Sequence, residues 1–245
     1  MPAATLLAHA ALLAQLSAPY PFAVGETLQY QASLGYFPIG TATATVARTT
    51  RERGADAFVF AAVGEGGPPG LRARYEMTSW VQSSRLASLR FHRKLTQGSK
   101  VDEERYQIVP DSGRYRQEGV PRDWVAPQDA LDELAYLYYL RTIPLEVGKS
   151  FTLSRYFKTG YNPVEVRVTG RESVLLFDGR SVPCFTVQLT TRGATLGVRL
   201  TDDLRRLPVQ LDLPLPYGTV TLVLNGTAGQ RGGGAAGPSS TSESQ

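Results

Sequence analysis

Polar and apolar positions alternate with period two over most of the chain. Leu28, Tyr30 and Ala32 interleave with Thr27, Gln29 and Gln31, as a half-buried strand requires. Residues 41–46 place threonine on one face and alanine on the other, a second strand whose small inner side chains leave room for something bulky opposite. The pattern returns at 57–63, 75–81, 86–95, 104–109, 150–158, 164–169, 180–189, 197–201, 208–213 and 217–224, with Gly, Pro and Asp between the runs. Asp178-Gly179 is the strongest hairpin signal, because both residues accept the backbone that a tight turn needs. Short strands with frequent turns predict an antiparallel meander.

One stretch breaks the pattern. Residues 129–141 carry Asp129 as a capping residue, Asp132 and Glu133 in the first turn, Arg141 in the last turn and Pro144 beyond it. This predicts a helix of roughly 20 Å. Residues 134–140 contain no charge, so the helix is apolar nearly all round and needs wrapping on several sides. In a chain of strands the wrapping surface is a curved sheet. The expected fold is therefore mainly β: one curved antiparallel sheet, an open or incomplete barrel of meander topology, around a single central helix at about 129–141.

Residues 1–18 read as a secretory signal peptide: 3–16 are mostly apolar, too few to span a bilayer, and small residues close the segment. Against this, no Lys or Arg precedes the apolar run and Pro19 would follow the cut. Gly, Ala, Ser and Thr dominate 229–245, which reads as a disordered tail. Between them, 22–228 is expected to be a single β-rich domain. The expected location is an exported compartment.

Composition adds little. The net charge is +4, and residues 72–122 hold 11 Lys or Arg against 6 Asp or Glu. No basic cluster is interleaved with stacking aromatics, so nucleic acid is not an expected partner. Cys184 is the only cysteine, so there is no internal disulfide, and its strand-like surroundings suit a buried hydrophobe.

Catalytic chemistry is poorly supplied. The two histidines are His9 and His92, too few for a His-rich zinc site, and no Gly-x-Ser-x-Gly elbow accompanies His92. Neighbours on a strand face opposite ways, so Glu103-Glu104 and Asp202-Asp203 are not dyads. No metal or cofactor and no enzymatic activity is expected. An apolar interior remains, and Trp80, Phe91, Tyr136, Leu137, Tyr139 and Leu140 are the candidate lining of a cavity between sheet and helix; the alternative is that they fill the core. Three readings follow. The first is a lipid-like or acyl-chain ligand on the concave face. The second is a structural module binding an envelope protein through a sheet edge or basic face. The third is a hydrolase with carboxylates on separate strands. Peripheral contact with a membrane is compatible with the first two.

Several landmarks together resemble the exported bacterial family DUF3108: Phe22 to Tyr30, Ile39-Gly40 before the second strand, Leu131 to Arg141 followed by Pro144-Leu145 and Gly148, and Arg206 to Val209. The resemblance spans 22–227. It implies export to the periplasm or cell envelope and carries no established catalytic residues. The inferred architecture is also similar to that of periplasmic lipoprotein carriers, a likeness of fold that does not fix function.

Overall fold

The computed structural model describes residues 20–228 apart from 68, 69, 71 and 217; the leader and tail read from the sequence lie outside the described residues. The strands, in chain order, are β1 (Thr27–Leu34), β2 (Phe37–Glu52), β3 (Ala55–Gly66), β4 (Ala73–Gln82), β5 (Ala87–Gln97), β6 (Lys100–Val109), β7 (Arg114–Gln117) and β8 (Asp123–Val125). A helix, α1 (Glu133–Leu140), follows. Six more strands complete the chain: β9 (Ser150–Leu153), β10 (Val164–Leu175), β11 (Ser181–Thr190), β12 (Thr195–Thr201), β13 (Pro208–Leu215) and β14 (Gly218–Ala228). They form one sheet in the order β8-β7-β6-β5-β4-β3-β2-β1-β14-β13-β12-β11-β10-β9, every neighbouring pair antiparallel.

The first and last strands thus pair in the middle, and two arms extend outward to the edges β8 and β9. The helix lies between those edges in the chain. A mainly β protein with one open antiparallel sheet and a single helix is what the alternation predicts. Bulges on both arms, at Val46/Arg48, Trp80/Val81, Val168/Gly170 and Arg199/Leu200, add local twist. Where β2 meets β3, a Cβ on Gly40 would stand 2.0 Å from the Glu65 carbonyl oxygen, so only glycine permits that approach.

The helix is shorter than the expected 129–141. Ala130 and Leu131 are extended: Ser88 N–H donates to the Ala130 carbonyl at 2.7 Å, and Leu131 bridges to Tyr156 through its N–H on the Arg155 carbonyl at 2.6 Å. Asp132, not Asp129, is the cap. Its Oδ1 accepts from the N–H groups of Leu134 and Ala135 at 3.0 and 2.9 Å. The expected strand at 150–158 also stops early, at Leu153, because residues 155–157 turn inward to meet Leu131. The short strands β7 and β8 have no counterpart among the runs read from the sequence.

Leu134, Ala135, Tyr136, Tyr138 and Leu140 of α1 are buried, so the helix is wrapped as its composition demands. Tyr138 stacks on Phe60 with ring centroids 3.9 Å apart, and Phe22 meets Tyr138 edge-on at 5.2 Å. A second aromatic set, Phe91, Tyr106 and Phe157, packs between β5, β6 and the inward-turned segment.

Both helix ends are pinned by buried polar groups. At the N-terminus the Asp132 Oδ2 accepts from Ser79 Oγ at 2.5 Å and Ser88 Oγ at 2.7 Å, while Ser88 Oγ accepts from the Asp132 N–H at 2.9 Å. Burial pushes this carboxyl up to about 7, against the pull of its hydrogen-bond donors. At the C-terminus the fully buried Arg141 makes a two-pronged pair with Glu26, at 2.5 and 3.0 Å. Its remaining donors reach the carbonyls of Pro21 and Arg205, and its guanidinium lies 5.4 and 5.7 Å from the ring centroids of Phe22 and Tyr138. The helix is thereby tied to β4 and β5 at one end, and to the start of β1 and the β12–β13 turn at the other.

Candidate functional site: the concave face beside the helix

The ladder register identifies the inner face. Ser79 touches the helix cap, so Met77 and Tyr75, two and four residues earlier on β4, also point inward. Met77 lies opposite Ala62 on β3, which lies opposite Ala44 on β2; Leu28 of β1 follows. On the other arm Ala32 lies opposite Leu222, Leu222 opposite Leu211 and Leu211 opposite Val198. Of these inner positions Ala44, Leu28, Ala32, Leu211 and Val198 are buried, whereas Ala62, Met77 and Leu222, with Ala42, Leu196 and Leu213 on the same strands, are only half-buried. Leu137 of the helix is half-buried too, and with Ala62 it packs against both halves of the core. A continuous inner apolar surface therefore keeps solvent contact where small side chains leave space.

A polar corner adjoins this surface. Glu133, in the first turn of α1, accepts a hydrogen bond from Tyr156 Oη at 2.6 Å through Oε1, while its buried Oε2 has no partner among the described residues. Arg93 on β5 pairs with Glu104 on β6. Burial alone would lower Arg93, but the hydrogen bond and charge of Glu104 hold it above the usual range. Tyr106 donates to Glu104, and burial together with that carboxylate raises its phenol. Burial likewise raises Tyr75 and Tyr156, with Glu133 adding to both. Lys158 Nζ lies 3.9 Å from Glu104 and 4.6 Å from the Tyr106 ring; burial lowers its ammonium. Perturbed groups gathered on one wall mark a site able to hold a polar group.

Lys158 also lines an open groove of about 510 Å³ at the seam between the two arms, with Tyr115, Arg122, Trp124, Val125 and Tyr161. Tyr115 and Trp124 stack there at 5.3 Å.

The residues expected to line a cavity divide. Phe91, Tyr136 and Leu140 are buried in the core, and Leu137 and Tyr139 are half-buried against it. Tyr138 shows how full the space beside the helix is. Trp80 does not belong with them. It alternates with Ser79 and Val81, so it points to the outer face, where the Arg90 guanidinium covers it at 3.6 Å. Sequence reasoning chose it for its aromatic ring and overlooked that Glu76 and Thr78 share its face. It also missed Glu133, Arg93, Glu104 and Lys158. The available signal was Arg93, which sits on the same face of its strand as Phe91.

The paired acids and Cys184 stand as the sequence reading has them. Glu103 and Glu104 face opposite ways, Glu103 to His92 at 2.8 Å outside and Glu104 to Arg93 inside. Cys184 is buried and burial pushes its thiol up to about 11. No helix among the described residues is long and apolar enough to cross a membrane.

An open antiparallel sheet with a helix across its concave side defines a β-barrel-like protein. The chain is similar to the crystal structure of a beta-barrel-like protein of domain of unknown function DUF1849 from Brucella abortus, with a TM-score of 0.55 at 10% identity over 85% of this chain and 98% of that one. That likeness is one of fold. The chain itself belongs to the family described as "Protein of unknown function (DUF3108)", whose sequence profile matches residues 29–225. No curated protein matches it in sequence.

Proposed function

We propose that this is a non-enzymatic, exported cell-envelope protein that binds an elongated apolar ligand of the acyl-chain class against the concave face beside α1. One observation carries the reading: inward-facing apolar side chains of both arms, among them Ala62, Met77, Leu137, Leu213 and Leu222, stay half-buried although the sheet curves around them. An apolar surface left wet on the inside of a fold is a surface prepared for a ligand. The polar corner of Glu133, Arg93 and Lys158 supports a ligand with one polar end, and the unpaired Glu133 Oε2 is free to accept from it. The leader-like composition of residues 1–18 supports export.

The test is organic extraction of the purified protein with mass spectrometry, followed by titration with a fluorescent fatty-acid analogue. Saturable binding is expected, and Ala62→Trp, which fills the inner surface, weakens it at least about tenfold. A protein that yields no lipid and gives no saturable signal overturns the reading. Cell fractionation checks the location, with the protein expected outside the cytoplasm.

The second reading, a module that adds a partner's strand to a free edge, draws on β8 and β9, each with one neighbour. These edges are three and four residues long, short enough to discourage pairing, which ranks this reading second.

A further inference from the structure

The turns of the sheet fall on two rims. On one lie the β1–β2, β3–β4, β5–β6, β11–β12 and β13–β14 turns; on the other lie β2–β3, β4–β5, β6–β7, β10–β11 and β12–β13. The two rims differ in charge. Residues of the first set, 35–36, 67–72, 98–99, 191–194 and 216–217, include no Asp or Glu and carry Arg72 and Arg192, with Lys100 next in line. The second set carries Asp111, Asp178, Asp202 and Asp203 among its arginines. The nearest acids inside the first rim are Glu65, paired with Arg74, and Asp102, two residues into β6. The two connections at the seam depart from that rim: 118–122 turns at the level of Arg105, and 155–157 folds inward to Leu131.

The centre of the acid-free rim is also apolar. Tyr36 is 101% exposed and Phe37 75% on the β1–β2 turn, and Leu215 is 40% exposed at the end of β13. These tips are neighbours, because Leu34 lies opposite both Phe37 and Val220. No charged residue occurs in 33–47 or in 213–228. Arg192 on the β11–β12 turn and Arg72 on the β3–β4 turn flank this pair of hairpins on either side, both exposed. The opposite rim also exposes Leu204 and Phe177, but each sits beside aspartates that an anionic surface repels.

We propose that this rim docks on an anionic lipid bilayer, with Tyr36, Phe37 and Leu215 entering the headgroup boundary while Arg72 and Arg192 meet lipid phosphates. Exposed Tyr36, with an apolar body and a polar tip, and the wholly apolar Phe37 and Leu215 suit that boundary, and cations without nearby acids supply the attraction. The contact uses a surface distinct from the concave face, so it stands or falls apart from ligand binding.

The test is co-sedimentation of the purified protein with neutral phosphatidylcholine vesicles and with vesicles of about three parts phosphatidylcholine to one part phosphatidylglycerol. Binding to the anionic vesicles, weakened by salt, is expected. The Phe37→Ser variant loses about tenfold in affinity, and Arg192→Glu or Arg72→Glu loses at least about fivefold. A control at the other rim, Phe177→Ser with Leu204→Ser, leaves binding unchanged. All these side chains are exposed, and circular dichroism verifies that each variant folds. Equal binding to both vesicle types, no loss in the rim variants, or loss only in the control overturns the proposal. So does sedimentation velocity showing a dimer that Phe37→Ser dissociates, which assigns the tips to a second copy of the chain.

Discussion

The two ends of α1 are both buried and both built on a charged residue, yet they are satisfied by opposite means. Asp132 has neutral donors only: two backbone N–H groups and two serine hydroxyls. Arg141 has a full counter-charge in Glu26, plus two carbonyls. The difference governs what each end responds to. An ion pair is indifferent to pH near neutrality but intolerant of losing one partner. A lone carboxyl among dipoles responds to pH, because burial opposes its charge and nothing of opposite sign restores it.

The largest effect is expected at the ion pair. Arg141→Met leaves Glu26 buried without its partner and should cost about 3–5 kcal/mol of unfolding free energy, read from urea denaturation. Adding Glu26→Leu should recover part of the loss, because the double variant buries no charge. If Arg141→Met proved as stable as the wild type, the pair would not be what anchors the helix to β1.

The pH dependence of Asp132 comes next. Its folded value, about 7, exceeds the ordinary 3.8. The folded state therefore prefers the protonated carboxyl. That stabilisation is fully present below about pH 4 and is lost as pH rises through about 7. Asp132→Asn keeps the cap and does not titrate. The stability difference, wild type minus variant, should fall by up to about 4 kcal/mol between those limits. Parallel pH curves for the two proteins would refute the assignment.

Much of this architecture was legible in the sequence, and the reasons are local. Strands with one wet and one dry face announce themselves by alternation, as Leu28-Gln29-Tyr30 does, and Asp178-Gly179 announces its hairpin, with Gly179 at a φ of 81°. β7 and β8 were illegible because, at four and three residues with no buried position, they offer no period to read. The helix was found but mis-started, since Asp129 and Asp132 are equally good caps locally. The choice between them depends on Ser79 and Ser88, 53 and 44 residues away. The Glu26–Arg141 pair, 115 residues apart, leaves no local trace at all. The candidate site was half legible. Apolar members of the concave face follow from alternation, whereas the polar corner arises only when β4, β5, β6 and the inward turn at 155–158 come together.

A third change probes the same end with the cap removed. Asp132→Ala deletes the acceptor for two backbone N–H groups and strands the hydroxyls of Ser79 and Ser88, at a cost of about 2 kcal/mol. This is smaller than the loss at Arg141 because what remains buried is dipolar, not ionic. A loss matching that of Arg141→Met would erase the distinction between the two ends.

The smallest effects separate the two serines. Ser79 only donates to Asp132, whereas Ser88 both donates to its carboxylate and accepts from its backbone N–H. Ser79→Ala removes one donor from a carboxyl that also retains Ser88 and should cost about 1 kcal/mol. Ser88→Ala leaves the Asp132 N–H buried without an acceptor as well, so it should cost measurably more, about 2 kcal/mol. Both changes also withdraw a donor that favours the ionised form, so in each variant the midpoint of the Asp132 titration should move above about 7. Carboxyl carbon chemical shifts followed by NMR across the pH range would report it directly. A midpoint that stays put while stability drops would mean that the serines brace the strand ends rather than the charge, and the contrast with Arg141 would then rest on packing alone.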